Sequence, residues 1–138
     1  MKKAMTRREL MAASGAATAA IALGVRPAFA ADTLKVGFIS PRTGPLGGFG
    51  ETDGYVLEVV RKAIGDGIEI GGKKYAVEIL DQDTQSDPSR AGQLAKDLIN
   101  NQGIDMMLAV STPETINPVA DACEAAGVLL SRYQRPEQ

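Results

Sequence analysis

Hydrophobic positions along this chain follow two alternating rhythms. Leu34-Lys35-Val36-Gly37-Phe38-Ile39 is a short, nearly unbroken apolar run, the pattern of a strand buried in a parallel sheet. The segment from Ser40 to Gly50 follows, with a Pro and Gly content that forbids regular structure. Tyr55, Val56, Val59, Val60, Ala63 and Ile64 then fall on one helical face, which predicts a helix with one apolar face, stopped by Gly65 and Gly67. Ile68-Glu69-Ile70, the pair Gly71-Gly72 and Lys74 to Leu80 read as a hairpin, with Tyr75, Val77 and Ile79 alternating onto one side. A polar loop, Asp81 to Ser86, leads to Asp87, which caps a second helix with Pro88 at its first position. Ala91, Leu94, Ala95, Leu98 and Ile99 form the inward stripe of that helix, and Gly103 ends it. Ile104 to Val110 is a further strand. The third helix runs to about Ala126, turns Val119, Ala122, Cys123 and Ala126 inward, and stops at Gly127. Val128-Leu129-Leu130 begins another strand.

Strands alternating with helices of this length imply βαβ crossovers, so the fold class is α/β, a doubly wound parallel sheet. Ligands of such sheets bind beyond the carboxyl ends of the strands, near the point where strand order reverses. Three loops fall there: residues 40–50, 81–87 and 110–115.

The first 30 residues carry a different pattern. Lys2, Lys3, Arg7 and Arg8 form a positive start, Met11 to Val25 is a broken apolar stretch, and Ala28-Phe29-Ala30 has the small-x-small form a signal peptidase accepts. The stretch is shorter than the roughly 20 apolar residues of a spanning helix. Thr6-Arg7-Arg8-Glu9-Leu10 resembles a twin-arginine signal, and an ordinary secretory signal with adjacent arginines is the alternative. Cleavage between Ala30 and Ala31 would release the mature protein into the periplasm.

Removing that segment changes the charge picture. Five of the 15 basic and one of the 17 acidic residues lie in it, so the remainder carries a net charge of −6. An acidic body argues against nucleic acid as a partner. With no histidine and one cysteine, Cys123, the chain lacks imidazole catalysis, an internal disulfide framework and the usual zinc ligand sets. Neither a nucleophile–base pair nor a metal spacing is visible, and no cofactor is implied.

Candidate chemistry therefore rests on the three loops. Val110-Ser111-Thr112-Pro113-Glu114 leaves a strand and enters a helix. Ser111 with Glu114 has capping-box spacing, and Thr112 before Pro113 is an alternative cap. Free N–H groups and two hydroxyls at a helix start also suit a carboxylate, so Ser111 and Thr112 are either plain caps or ligand contacts. The first loop fails both phosphate motifs: no lysine follows Gly44 at P-loop spacing, and Asp53 takes the third glycine position after Gly48-Phe49-Gly50. Phe49 suits the apolar part of a small ligand or else covers the sheet edge. Asp81, Asp83 and Asp87 read as a solvated acidic loop, from which Asp83 or Thr84 could reach an amine. Cys123 reads as a small core residue.

The order of these residues resembles a known family. Leu34 to Pro41 leading into Thr43-Gly44-Pro45-Leu46 and Phe49-Gly50 is similar to the mature start of the leucine/isoleucine/valine-binding proteins. Asp81 to Pro88 with Ala91, then Ser111-Thr112, Pro118-Val119-Ala120 and Glu124 to Val128, look like later parts of the same family in the same order. The resemblance implies a type I periplasmic-binding-protein fold, of which residues 31–130 are part of the first lobe. It implies a solute-binding component of an ABC transporter that takes an amino acid or related small carboxylate to an inner-membrane permease, and no enzyme. It also implies that Ser111, Thr112 and Phe49 are ligand contacts. An exported α/β enzyme or a sensory ligand-binding domain is the alternative. The resemblance fades in residues 131–138, a polar tail with Arg132, Arg135 and Pro136, where the expectation is a frameshift or premature end and a fragment that binds weakly.

Overall fold

The first strand, β1 (Asp32–Ser40), is the middle of a five-stranded sheet in a computed structural model that describes residues 32–134. The expected export elements, Arg7, Arg8 and the Ala30–Ala31 junction, lie outside the described residues. The other strands are β2 (Ile68–Ile70), β3 (Lys73–Asp83), β4 (Met106–Ser111) and β5 (Leu129–Gln134), in the spatial order β2-β3-β1-β4-β5. β1 pairs in parallel with β3 on one side and β4 on the other, and β5 continues the parallel set. β2 joins β3 as an antiparallel edge through Gly71 and Gly72, both at positive φ (59° and 78°), the requirement of a tight primed turn. These are the alternating parallel β–α units of the expected α/β class.

Two helices cover one face of the sheet. α2 (Pro88–Asp97) starts as expected: the Asp87 side chain accepts a hydrogen bond from Arg90 N, with Pro88 in the first turn. A wide turn of helix, Leu98–Gln102, follows and ends at Gly103 in the left-handed region. α3 (Pro113–Ala126) ends likewise at Gly127. Ile39 of β1 and Met107 and Ala109 of β4 pack there against Ala91, Ala95, Leu98, Ile116, Val119 and Cys123. Cys123 is a buried thiol in this core, and its surroundings push its pKa up.

The opposite face carries α1 (Asp53–Ile64), and here the sequence pattern misleads. An apolar stripe usually faces the core, yet Tyr55 is 73% and Val59 47% exposed, and Val56 and Val60 are exposed as well. Leu57, outside that stripe, is the buried residue of the helix. Arg61 reaches across to the Ile79 carbonyl and the Asp81 carboxylate, which turns the polar side of the helix towards β3. Periodicity identifies an apolar face; it does not identify what covers it.

Strand lengths also differ from expectation. β3 runs beyond Leu80 to Asp83 because the ladder with β1 continues to the pair Ser40–Asp83. β5 does not give out after Leu130: Ser131 to Gln134 pair with Leu108 to Ser111, so backbone pairing carries polar residues along an edge strand.

Candidate functional site

All four parallel strands point their carboxyl ends at one edge of the sheet, and the loops after β1, β3 and β4 meet there. The chain leaves β1 for the α1 face and leaves β4 for the α2–α3 face. The reversal therefore falls between β1 and β4, where a crevice opens in doubly wound sheets.

The loop after β1 is anchored by the loop after β3. The Asp83 carboxylate accepts hydrogen bonds from Arg42 N (2.9 Å), Thr43 N (3.2 Å), Thr43 Oγ1 (2.7 Å) and Gln85 N (2.9 Å). Ser86 Oγ donates to the Thr43 carbonyl at 2.7 Å and accepts from Leu46 N at 3.0 Å. Gln85 and Ser86 hold positive φ (55° and 63°) to make this approach. Gly44 is required opposite them: a Cβ there would lie 2.4 Å from the Gln85 carbonyl oxygen. Asp81 binds Arg42 (2.8 Å) and Arg61 (2.6 Å), joining the same loop to α1.

These contacts set the charges. Burial works against ionised Asp81, but the Arg61 hydrogen bond and the Arg42 and Arg61 charges outweigh it, and its pKa falls below the ordinary carboxylate value. Burial likewise opposes the Asp83 charge and is outweighed by the hydrogen bonds from Thr43, Gln85 and Arg42, so its pKa is also lowered.

In the loop from which Asp83 or Thr84 could reach an amine, the structure shows both residues in contacts between loops. The Asp83 oxygens are engaged in holding two loops together. Thr84 is 1% exposed, donates its N–H to the Ser40 carbonyl and accepts from Ser86 N through its hydroxyl. Both lie beneath the loops.

The structure does bring Phe49 and Ser111 together. A single turn of 3-10 helix, Gly47–Phe49, raises the Phe49 ring, which is 58% exposed, and Ser111 Oγ donates to the Phe49 carbonyl at 3.2 Å. Ser111 is at φ 85°, unusual for a residue with a Cβ, and this strained corner aims its side chain back across the crevice. Thr112, 4% exposed, is the N-cap residue of α3, but its side chain makes no capping hydrogen bond and turns instead to Thr115 Oγ1 at 3.3 Å. Of the two hydroxyls expected at this helix start, Ser111 faces the crevice and Thr112 packs inside.

Between these elements lies a cavity of about 360 Å³ lined by Phe38, Phe49, Asp53, Val56, Val110 and Ser111. A larger groove of about 740 Å³ runs along α3 and along α2 with the turn that follows it, from Pro88 to Asn100, and takes no lining residue from the strands. The smaller cavity is the candidate site because it sits at the reversal of strand order. Asp53 was passed over in the sequence, where an acid in the first turn of a helix reads as a partner of the helix dipole.

A profile of the periplasmic binding protein family matches residues 33–133. No curated protein matches the chain. Among solved structures, an ABC-transporter solute-binding protein from Rhodopseudomonas palustris BisB5, in complex with 3,4-dihydroxybenzoic acid, is 26% identical, with a TM-score of 0.60 over 73% of this chain and 27% of that one. The leucine-binding protein LivK from Thermotoga maritima MSB8 is 18% identical, with a TM-score of 0.64 over 75% of this chain and 28% of that one. LivJ from Streptococcus pneumoniae, in complex with isoleucine, is 22% identical, with a TM-score of 0.63 over 77% and 30%. The last two show a shared fold. The chain spans 27% to 30% of the length of these three proteins. With a profile match that reaches from β1 into β5, the chain belongs to the periplasmic binding protein family.

Proposed function

We propose that this chain supplies part of the first lobe of an exported solute-binding protein that captures a small carboxylate-bearing solute in the periplasm and presents it to an inner-membrane ABC permease. The cavity between the ends of β1 and β4 is the observation that carries this reading. Its walls are apolar and aromatic, Phe38, Phe49, Val56 and Val110, and the Ser111 hydroxyl stands at its rim. That combination receives the body of a small organic molecule and fixes one polar end. Ser111 supplies the hydroxyl donor, which a ligand carboxylate would take over from the Phe49 carbonyl. The role is binding and delivery, with no chemical step.

The solute is an amino acid of the branched-chain type or a related small acid. Isoleucine in LivJ and 3,4-dihydroxybenzoic acid in the R. palustris protein mark the two ends of that range. Export uses the amino-terminal segment, with Arg7 and Arg8 as the twin-arginine pair and cleavage between Ala30 and Ala31. Titration calorimetry of the full-length protein against amino acids and aromatic acids tests the binding role. Ser111→Ala is expected to weaken the best ligand by about 1–3 kcal/mol, the range for a hydrogen bond to a charged group. Unchanged affinity would return Ser111 to a purely architectural role.

A further inference from the structure

The candidate cavity holds a carboxylate that its surroundings only partly compensate, with Ser40 and Arg42 as the groups nearest to it in charge and hydrogen bonding. Asp53 opens α1 and lines the cavity beside Phe49 and Ser111. Its Oδ2 atom is buried without a hydrogen-bond partner. Ser40, the last residue of β1, is fully buried, and its hydroxyl also lacks a partner. The two groups lie close enough for the Ser40 hydroxyl to lower the Asp53 pKa, yet no well-formed hydrogen bond satisfies Oδ2, and a buried carboxylate oxygen left so is uncommon in a folded chain. Elsewhere around the crevice the polar groups are well supplied: Asp83 takes four hydrogen bonds and Asp81 binds two arginines.

We infer that Asp53 is a specificity-determining residue of the proposed solute site, accepting a hydrogen bond from a donor group, an ammonium or a hydroxyl, carried on the apolar or aromatic body of the ligand. The inference rests on the solute-binding reading above. Geometry leads to it: the carboxylate stands among Phe38, Phe49 and Val56, so a ligand ring or alkyl chain packed on those side chains brings its substituents to Oδ2. The buried Ser40 hydroxyl acts on the Asp53 carboxylate itself and so helps to position it. The electrostatics agree in sign. Burial raises the Asp53 pKa, while the nearby Ser40 hydroxyl and Arg42 charge bring it only part of the way back. A ligand donor would supply the stabilisation that the carboxylate lacks. A solute of the same shape without the donor would leave it unpaired, and sites built around a polar partner discriminate strongly against such analogues.

Two matched pairs of probes separate the sources of the donor. Leucine and 4-methylpentanoate differ by the ammonium group; 3,4-dihydroxybenzoate and benzoate differ by the hydroxyls. Calorimetric titration of the full-length protein is expected to show at least tenfold tighter binding of the donor-bearing member of one pair. Asp53→Asn and Asp53→Ala are each expected to reduce that preference at least fivefold while leaving the donor-free member within about twofold, which also verifies that the variants fold. The pair that responds identifies the donor as ammonium or hydroxyl. In the wild-type protein, the Asp53 side-chain carboxyl followed by NMR should titrate above an ordinary aspartate and move down when the preferred ligand saturates the site. Equal loss of both members of a pair, or no change in either, overturns the role of Asp53 and leaves the binding function standing. A wild-type protein that binds none of the four overturns both.

Discussion

Ser111 shows how much one backbone angle decides. At φ 85° it occupies a conformation that glycine adopts freely and a residue with a Cβ does not. The strain is offset locally by the bond from its hydroxyl to the Phe49 carbonyl. Ser111→Ala removes the bond and keeps the strain, whereas Ser111→Gly removes both. The glycine variant is therefore expected to be more stable than the alanine variant by about 1 kcal/mol in urea unfolding, reversing the usual penalty for glycine. Equal midpoints would mean that the corner relaxes without strain. The sequence does mark Ser111, because a hydroxyl residue at a strand–helix junction is visible as a pattern. It does not separate Ser111 from Thr112, since adjacent hydroxyls look alike until the backbone sends one to the crevice and the other to Thr115. Asp83 and Asp53 show how little local sequence says about an acid's partners. An acid in a polar loop looks available and is fully engaged, while an acid at a helix start looks satisfied and has a buried bare oxygen.

Among the elements, α1 separates amphipathic pattern from burial. Its location, length and glycine stop follow from the periodicity, as do the caps of α2 and the hairpin turn. Which side of α1 is covered depends on the neighbours that the sheet places beside it, and local spacing carries no such information. The difference is measurable in this chain. Leu57→Ala is expected to cost about 2–4 kcal/mol, the range for truncating a buried leucine. Val59→Ser is expected to change stability by less than about 0.5 kcal/mol, as an exposed position does. Denaturant titration of both variants decides, and a large loss for Val59→Ser would show that the stripe is buried in solution. The same bare stripe, four neighbouring apolar side chains in Tyr55, Val56, Val59 and Val60, is expected to bind a hydrophobic dye.

Across the whole molecule, the carboxylates at the crevice set the response to acid. Asp81 and Asp83 have lowered pKa values in the fold, so their stabilisation is fully present above the unfolded value near about 4 and is lost as pH falls through the folded values. Asp53 has the opposite sign, since its raised pKa makes the charged form a burden that protonation relieves. Urea midpoints are thus expected to decline only below about pH 4, and Asp83→Asn should flatten that decline. An undiminished slope in the variant would remove Asp83 from the account. The architecture as a class was legible because buried strands and amphipathic helices alternate; the extent of β3 and β5 was not, because it depends on pairing with β1 and β4. The central place of β1 has a consequence in time. It is the first strand of the sheet to be synthesised, yet Val36 pairs with Ile79 on one side and with Met106 on the other. The β2–β3 hairpin forms from neighbours in sequence, but the middle of the sheet closes only after β4 has been made. Until then β1 can pair with β3 alone, and its β4 side, along Val36, Phe38 and Ile39, remains an open apolar edge, a slow and sticky stage of folding. An export route for folded cargo has to wait for that closure, and one that threads unfolded chains has to act before it. For the export proposed above, the delay between making β1 and making β4 is therefore the interval that separates the two routes.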